Sequence, residues 1–345
     1  AIRMGALGDL VLATAAIEHN PGTELHWLVS KELSPWLKGH SKIKSVWDFD
    51  KALGFRGLLA MAARIHAENF DELWDLHNNT RSQIIRLVVR ARSLFALRRA
   101  PKIKVVSKQR WRLWGFFRFR KFWPSSLWPT PWIQRFAGFA NEPQAAKPDL
   151  SHLKQQALLE PLSDFLWPQQ SYLCVMPSSR WPRKEWPLES WISFLSARPE
   201  PVVVLGSHLD ERSVKLGAAL KSQGKAVLLL ADLKPSVAQI AGVIANCRAC
   251  VSVDTGFAHI AQSFQRPTVV IMGPTHPNAG FGPWAKNARV VRTDPWCSPC
   301  GKDGRNCMRQ IKGVCLTALP SDLVTKQLTS LLEREYPKDP GPNLK

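Results

Sequence analysis

The stretch from Cys250 to Pro274 holds the residues best suited to chemistry. Asp254, Thr255 and Gly256 interrupt two apolar runs, Val251-Ser252-Val253 and Thr268-Val269-Val270-Ile271-Met272, while Phe257 to Phe264 carries helical apolar spacing. The pattern predicts strand, polar turn, helix and strand, which is half of a βαβ unit. At the carboxyl end of a parallel strand the following helix presents free N–H groups and the positive end of its dipole to anions. A phosphate is therefore the natural ligand of Asp254-Thr255-Gly256, with His259 one helical turn on. Standing alone, the same three residues also fit a simple helix cap and turn, with His259 structural. A second polar turn lies near the start, where Ile2-Arg3-Met4 reads as the stump of a strand and Gly5-Ala6-Leu7-Gly8-Asp9 leads into a helix predicted over Leu10–Glu18. Its two glycines let backbone approach a ligand closely.

The elements that position these turns follow one rhythm. In the first half, Glu24–Val29, Val46–Phe49 and Phe70–Leu76 read as short strands alternating with helical or turn-like sequence. In the second half, strands at Tyr172–Met176, Val202–Leu205 and Val227–Leu230 alternate with helices at Leu188–Ala197, after Gly206–Glu211, and at Ser236–Asn246. Such alternation predicts an α/β chain with parallel sheets. Asn141–Gln170 is polar and proline-punctuated, contains one predicted helix, and reads as the linker zone. Val290-Val291 suggests a last strand, and Ser321–Glu333 an amphipathic helix before a proline-rich tail.

A chain of 345 residues fits two domains of average size. The boundaries predicted are 1–160 for an N-terminal domain that includes the basic aromatic segment, 168–320 for a C-terminal domain, and 321–345 for a terminal helix and tail. At 45% hydrophobic and 21% charged residues the composition is globular. The formal charge of +20 calls for an anionic partner: nucleic acid, a phospholipid surface or a phosphorylated substrate. No apolar run reaches the length of a membrane span, and no cleavable leader is evident, so a cytoplasmic location is expected. Because the sequence opens on Ala1, the start of the first strand is expected to precede it.

Most of the charge is concentrated. Between Leu76 and Asn141 there are fifteen lysines and arginines, from Arg81 to Arg135, and no acidic residue. Trp111, Trp114, Phe116, Phe119, Phe122 and Trp123 are interleaved with them. A basic face by itself is usually just solvated. Cations mixed with interfacial aromatics point rather to an anionic membrane or a phosphorylated amphiphile. Aromatics also stack on bases, but no motif of a nucleic-acid module is present. The seven cysteines do not form a secreted disulfide framework. Cys297, Cys300, Cys307 and Cys315 contain one CxxC pair where a zinc ribbon has two, which favours buried or free thiols over a metal site.

Three motifs in this order resemble glycosyltransferase family 9, the heptosyltransferases of bacterial lipopolysaccharide biosynthesis. They are Met4-Gly5-Ala6-Leu7-Gly8-Asp9-Leu10-Val11-Leu12-Ala13-Thr14, Trp181-Pro182-Arg183-Lys184-Glu185-Trp186-Pro187 and Val253-Asp254-Thr255-Gly256-Phe257-Ala258-His259. The resemblance implies a GT-B fold, two Rossmann-like doubly wound domains facing across a cleft, with the donor held mainly by the C-terminal one. It implies ADP-heptose as donor, a lipid A–core oligosaccharide as acceptor, no cofactor, and a monomer working peripherally at the inner face of the inner membrane. Sugar transfer from a nucleotide diphosphate needs a base for the acceptor hydroxyl and positive groups for the leaving diphosphate. Asp9 matches the family's base, and Lys184 matches the diphosphate partner, making these two the catalytic pair. Donor contacts are expected from Gly8, Ser178, Ser179, Lys184, Asp254, Thr255, Gly256 and His259. Asp210 or Glu211 is expected at the ribose, and the adenine beside Leu230 and Ala231. Ser178-Ser179-Arg180 departs from the small-residue run commoner in the family at that place. No DxD pair or carboxylate cluster with metal spacing accompanies the motifs, so inverting, metal-independent transfer is expected. Arg81 and the cations after it are expected to meet the acceptor. The alternatives are a family 9 enzyme with another nucleotide sugar and a non-catalytic basic protein binding membrane or RNA.

Overall fold

The computed structural model describes residues 1–18, 22–157, 171–206, 210–301, 303–305, 307 and 313–336, with side chains for all of these but 121 and 155–157. In chain order the elements are α1 (Leu7–Ala13), β1 (His26–Ser30), β2 (Ser45–Phe49), α2 (Gly54–Ala67), β3 (Glu72–Asp75), α3 (Thr80–Phe95), β4 (Lys102–Val105), α4 (Arg110–Phe119), α5 (Trp132–Ala137) and α6 (Ser151–Ala157). The second half continues with β5 (Leu173–Met176), α7 (Leu188–Ser196), β6 (Val202–Val204), α8 (Glu211–Ser222), β7 (Val227–Leu229), α9 (Val237–Asn246), β8 (Ala249–Val253), α10 (Gly256–Ser263), β9 (Thr268–Ile271), β10 (Ala288–Val291), α11 (Val314–Thr317) and α12 (Ser321–Glu335). The proline-rich tail, residues 158–170 of the linker zone and residues 207–209 before α8 lie outside the described residues.

The chain forms two compact units. Unit 1 comprises Ala1–Arg110 and Trp132–Leu153; unit 2 comprises Trp111–Pro131 and the chain from Lys154 on. In unit 1 the parallel pairs β1–β2 and β3–β4 are joined by Ile2, which bridges Leu28 of β1 and Asp75 of β3. The Ile2 N–H donates to Trp74 O at 2.8 Å and the Arg3 N–H to Leu28 O at 2.9 Å, so the first residues are the central strand. Against this sheet α2 buries Leu58, Ala62 and Ile65, and α3 buries Ile85 and Val89, each set at the three- and four-residue spacing of one helix face. Asn79 and Ser82 close a reciprocal capping box at the start of α3.

Helix α1 starts three residues earlier than expected. Ala6, at φ 50°, makes the turn by itself, and Gly8 and Asp9 fall inside the first helical turn. Gly8, a poor helix former, is what moves the sequence-based estimate downstream. The remainder of the expected helix, Thr14–Ile17, is a 3-10 turn.

Unit 2 is built on six parallel strands ordered β10-β9-β8-β5-β6-β7. Counted from β5 as the first, this is the 3-2-1-4-5-6 order of a dinucleotide-type doubly wound sheet, and the order reverses between β5 and β8. The four inner strands, β9, β8, β5 and β6, are buried on both faces, as the valine-rich runs require. Trp186, Trp191 and Phe194 and the apolar face of α12 (Val324, Leu328, Leu331) share their core. Each such side chain, taken fully out of water, contributes about 1.5–3 kcal/mol.

The basic aromatic segment, expected in the first domain, clusters with unit 2. Phe116 of α4 is buried, edge-on to His276 at 5.4 Å and to Trp128 at 5.9 Å, and the Arg120 guanidinium stands 5.8 Å over the Trp296 ring. Gly115 lets Trp123 close on α4, since a Cβ there would come within 2.3 Å of the indole. A run of charge carries no address in the fold. The buried Phe116 does.

Candidate functional site

In unit 2 the motif residues gather at the reversal of strand order. Ser178 and Ser179 follow β5, and Asp254, Thr255 and Gly256 follow β8, the strand beside it. Helices leave adjacent strands toward opposite faces at such a reversal, which opens a crevice at the strands' carboxyl ends. Thr255 is the cap residue of α10, in extended conformation, but its side chain does not cap the helix. Its Oγ1 lies 3.2 Å from Ser252 Oγ instead. The first-turn N–H groups of α10, beginning with Gly256, thus keep their role as anion donors. His259 sits on this turn and is buried.

Lys184 ends a 3-10 turn, Pro182–Lys184, and is 9% exposed. Its Nζ donates to Asp254 Oδ2 at 2.7 Å, and the same oxygen accepts from Thr275 Oγ1 at 2.7 Å. Seventy residues of sequence separate the two ends of this ion pair. The neighbouring Glu185 holds the loop: Oε1 accepts from the Ser179 N–H at 2.9 Å and Oε2 pairs with Arg212 Nε at 2.9 Å, while Arg212 Nη1 donates to Trp186 O at 2.8 Å. The Trp186 indole in turn donates to Leu319 O.

Asp210 and Glu211 part company. Asp210 is the N-cap of α8: Oδ1 accepts from the Arg212 N–H at 3.2 Å, and Oδ2 from Ser213 Oγ at 2.5 Å and from Ser178 Oγ. Glu211 is exposed and paired with Lys215 at 2.6 Å, and the bond to Lys215 holds its carboxyl below the usual range. Asp210 therefore belongs to the crevice network and Glu211 to the surface of α8. Leu230 and Ala231 are buried in the turn that follows β7.

Unit 1 has a reversal of its own. The sheet runs β2, β1, the Ala1–Met4 strand, β3, β4; the first motif follows the central strand, and His77 follows β3 beside it. Asp9, in the first turn of α1, pairs with the Arg3 guanidinium, and Arg3 Nη1 donates to Leu76 O at 2.9 Å. His77 closes the other side: its Nδ1 accepts from the Met4 N–H at 3.2 Å, and its Nε2 lies 3.0 Å from Asn79 Nδ2. Accepting at Nδ1 leaves the ring's single proton on Nε2, and a doubly protonated ring would lose the Met4 bond. Burial, reinforced by the charges of Arg3, Lys108, Arg81 and Lys51, brings the His77 pKa down to about 3. Gly5 lies against this ring, and Gly8 occupies the second position of α1. Arg81 is exposed on the first turn of α3.

Sequence reasoning misses Glu185, Arg212, Thr275 and His77. Glu185, an acid set between two tryptophans in the middle motif, is the one that carried a visible signal. It also misses three buried thiols of unit 2, Cys174 on β5, Cys250 on β8 and Cys247 at the end of α9, whose sulfurs lie within 4.8 Å of one another.

Two doubly wound units with motif turns at their strand reversals define a class of nucleotide-sugar-handling folds, and comparison gives the family. Residues 58–309 match glycosyltransferase family 9 (heptosyltransferase), and the chain belongs to that family. It is 29% identical over 184 residues to lipopolysaccharide heptosyltransferase 1 of Pseudomonas aeruginosa, a match covering 48% of this chain and 49% of that protein. It is 23% identical over 274 residues to the lipopolysaccharide core heptosyltransferase OpsX of Haemophilus influenzae, covering 78% and 76%. Among solved structures, E. coli ADP-heptose lps heptosyltransferase II superposes with a TM-score of 0.68 at 19% identity, over 97% of this chain and 98% of that one. A family 9 glycosyl transferase from Veillonella parvula gives 0.70 at 19%, over 96% of each. At this identity the structures establish the fold, which is GT-B.

Proposed function

We propose that the chain transfers a heptose from ADP-heptose to the inner-core oligosaccharide of a lipopolysaccharide precursor, with inversion. What carries the reading is the placement of all three family motifs at the carboxyl ends of strands where strand order reverses, in both units. In unit 2, Lys184 and the first N–H groups of α10 meet the diphosphate. Asp254 holds Lys184 in place, and Ser178, Asp210 and Ser179 shape the adjoining wall for the nucleoside, whose adenine lies by Leu230 and Ala231. In unit 1, Asp9 takes the proton of the acceptor hydroxyl. The Arg3 guanidinium holds that carboxylate in position at the start of α1. Arg81 and the cations of α3 bind the acceptor's anionic groups.

The basic aromatic segment supports membrane contact. Trp111, Trp114 and Phe122 are 57%, 62% and 93% exposed beside Arg112 and Arg118, the mixture that lodges at an anionic lipid interface. Among the described residues no helix is long and apolar enough to cross a membrane.

The test is ADP release from ADP-heptose in the presence of a heptose-deficient lipid A–core acceptor, run beside other nucleotide sugars. Transfer specific to ADP-heptose is the expected result. Turnover with another nucleotide sugar alone would move the chain to a different donor within the family. Failure to bind ADP in a calorimeter would remove the enzymatic reading.

A further inference from the structure

The four cysteines near the end of the chain, whose spacing argues against a zinc ribbon, are turned by the fold toward one small cavity. Cys297, Cys300, Cys307 and Cys315 all line it, with Arg183 and Pro274. Cys300 Sγ donates to Cys297 O at 3.6 Å, which ties the CxxC pair together. The walls are anchored: the Cys300 N–H donates to Pro274 O at 2.9 Å, and Thr293 Oγ1 donates to Cys315 O at 2.7 Å. Gly304, at φ +68°, makes the turn between Cys300 and Cys307, where a Cβ would stand 2.5 Å from Pro274.

We propose that Cys297, Cys300, Cys307 and Cys315 together hold one tetrahedral zinc-class divalent ion. Four sulfur ligands with no carboxylate or imidazole among the cysteines suit a borderline-soft cation, bound at about 2.3 Å from each sulfur in structural sites. Each thiol releases its proton as the ion binds. Arg183 on the cavity wall offsets part of the excess negative charge of four thiolates. The ion would be structural. It staples the loop after β10 to the Arg183 loop and to Pro274, the immediate neighbours of Lys184 and Thr275 in the Asp254 network.

The core triad is the rival position. Among the described residues it alone brings three ligand atoms within 4.8 Å. Its thiols, however, are fully buried and already bonded: Cys247 Sγ to Ile244 O at 3.1 Å and to Cys250 Sγ at 3.4 Å, Cys174 Sγ to Val243 O at 3.6 Å. Such contacts are ordinary for small buried side chains packed in a core. At the loop site Cys300 and Cys307 are partly exposed, and ion uptake draws them inward.

The experiment is the metal content of the full chain purified from zinc-supplemented cells, with release of zinc by a mercurial followed with a chromophoric chelator. About one zinc per chain is expected. Cys300→Ser and Cys307→Ser, at partly exposed positions, should each lower retention at least roughly tenfold, while Cys174→Ala and Cys250→Ala retain it. Should the serine variants not fold, cobalt substitution of the unaltered chain gives a second reading, a thiolate charge-transfer band of tetrahedral type. Iron in place of zinc, lost in the same variants, would support the site. A metal-free chain, a Cys297–Cys300 disulfide in the reduced-cell preparation, or zinc lost in Cys174→Ala and kept in Cys300→Ser would overturn it.

Discussion

The reversal in unit 1 and the reversal in unit 2 have the same backbone plan and opposite electrostatics. In unit 2 a strand end supplies the acid, Asp254, and a loop brings the cation, Lys184, so a lysine is held ready at helix N–H groups that already favour anions. In unit 1 the strand supplies the cation, Arg3, and the helix turn supplies the acid, Asp9. The buried partner differs too. Arg3 is 4% exposed and has a second bond to Leu76 O, so its grip leaves the Asp9 carboxylate as the more accessible member. One crevice is arranged to receive negative charge and the other to present it. A transferase that releases a diphosphate and takes up a proton needs both.

Breaking the unit 1 pair should have the largest effect. Asp9→Asn keeps the shape but removes the proposed base, and turnover with ADP-heptose and acceptor should fall by about 10²- to 10⁴-fold while ADP affinity stays unchanged by calorimetry. Undiminished turnover would assign Asp9 a purely structural part, as the partner of Arg3. In unit 2, Lys184→Ala should abolish ADP binding and also cost about 3 kcal/mol of stability in denaturant unfolding, because Asp254 is left charged and largely buried. Adding Asp254→Asn should recover much of the stability and none of the binding.

The comparison also sharpens with pH. His77 stays neutral in the folded chain down to about pH 3, whereas the unfolded chain takes up its proton near 6.5. A depressed histidine therefore contributes stability that is full above pH 6.5 and declines as pH falls from 6.5 toward 3. The slope is at most about 1.4 kcal/mol per pH unit, reduced by partial solvent access. His77→Gln should flatten the unfolding free energy over that window, and an unchanged slope would deny the neutral ring its place under Met4. The smallest effect is expected at the basic aromatic segment, where Arg112→Gln and Arg118→Gln should each weaken binding to anionic vesicles by roughly 1 kcal/mol and leave neutral vesicles unaffected.

Much of this was readable from the chain because apolar runs mark buried parallel strands. Val251–Val253 and Thr268–Ile271 could be placed to within about two residues, and with them the Asp254 turn. The helix after Gly5 was placed late, since Gly8 disguises its first turn. Pairings across the sheet were not readable at all. Nothing local to Lys184 or Thr275 names Asp254 as their common partner, because that contact is made by the strand order of β5, β8 and β9. The same limit hid the unit to which Trp111–Pro131 belongs, and the convergence of four unevenly spaced cysteines.

The excursion of Trp111–Pro131 into unit 2, with Trp132–Leu153 returning to unit 1, means the polypeptide passes from one unit to the other three times. Neither half can be excised with a single cut. A fragment ended near residue 160 would carry Phe116 and Trp123 without His276 and Trp296 to cover them, and would be sticky and insoluble. Anyone dissecting the chain into its two units has to graft residues 111–131 onto the carboxyl-terminal piece and splice the gap they leave behind.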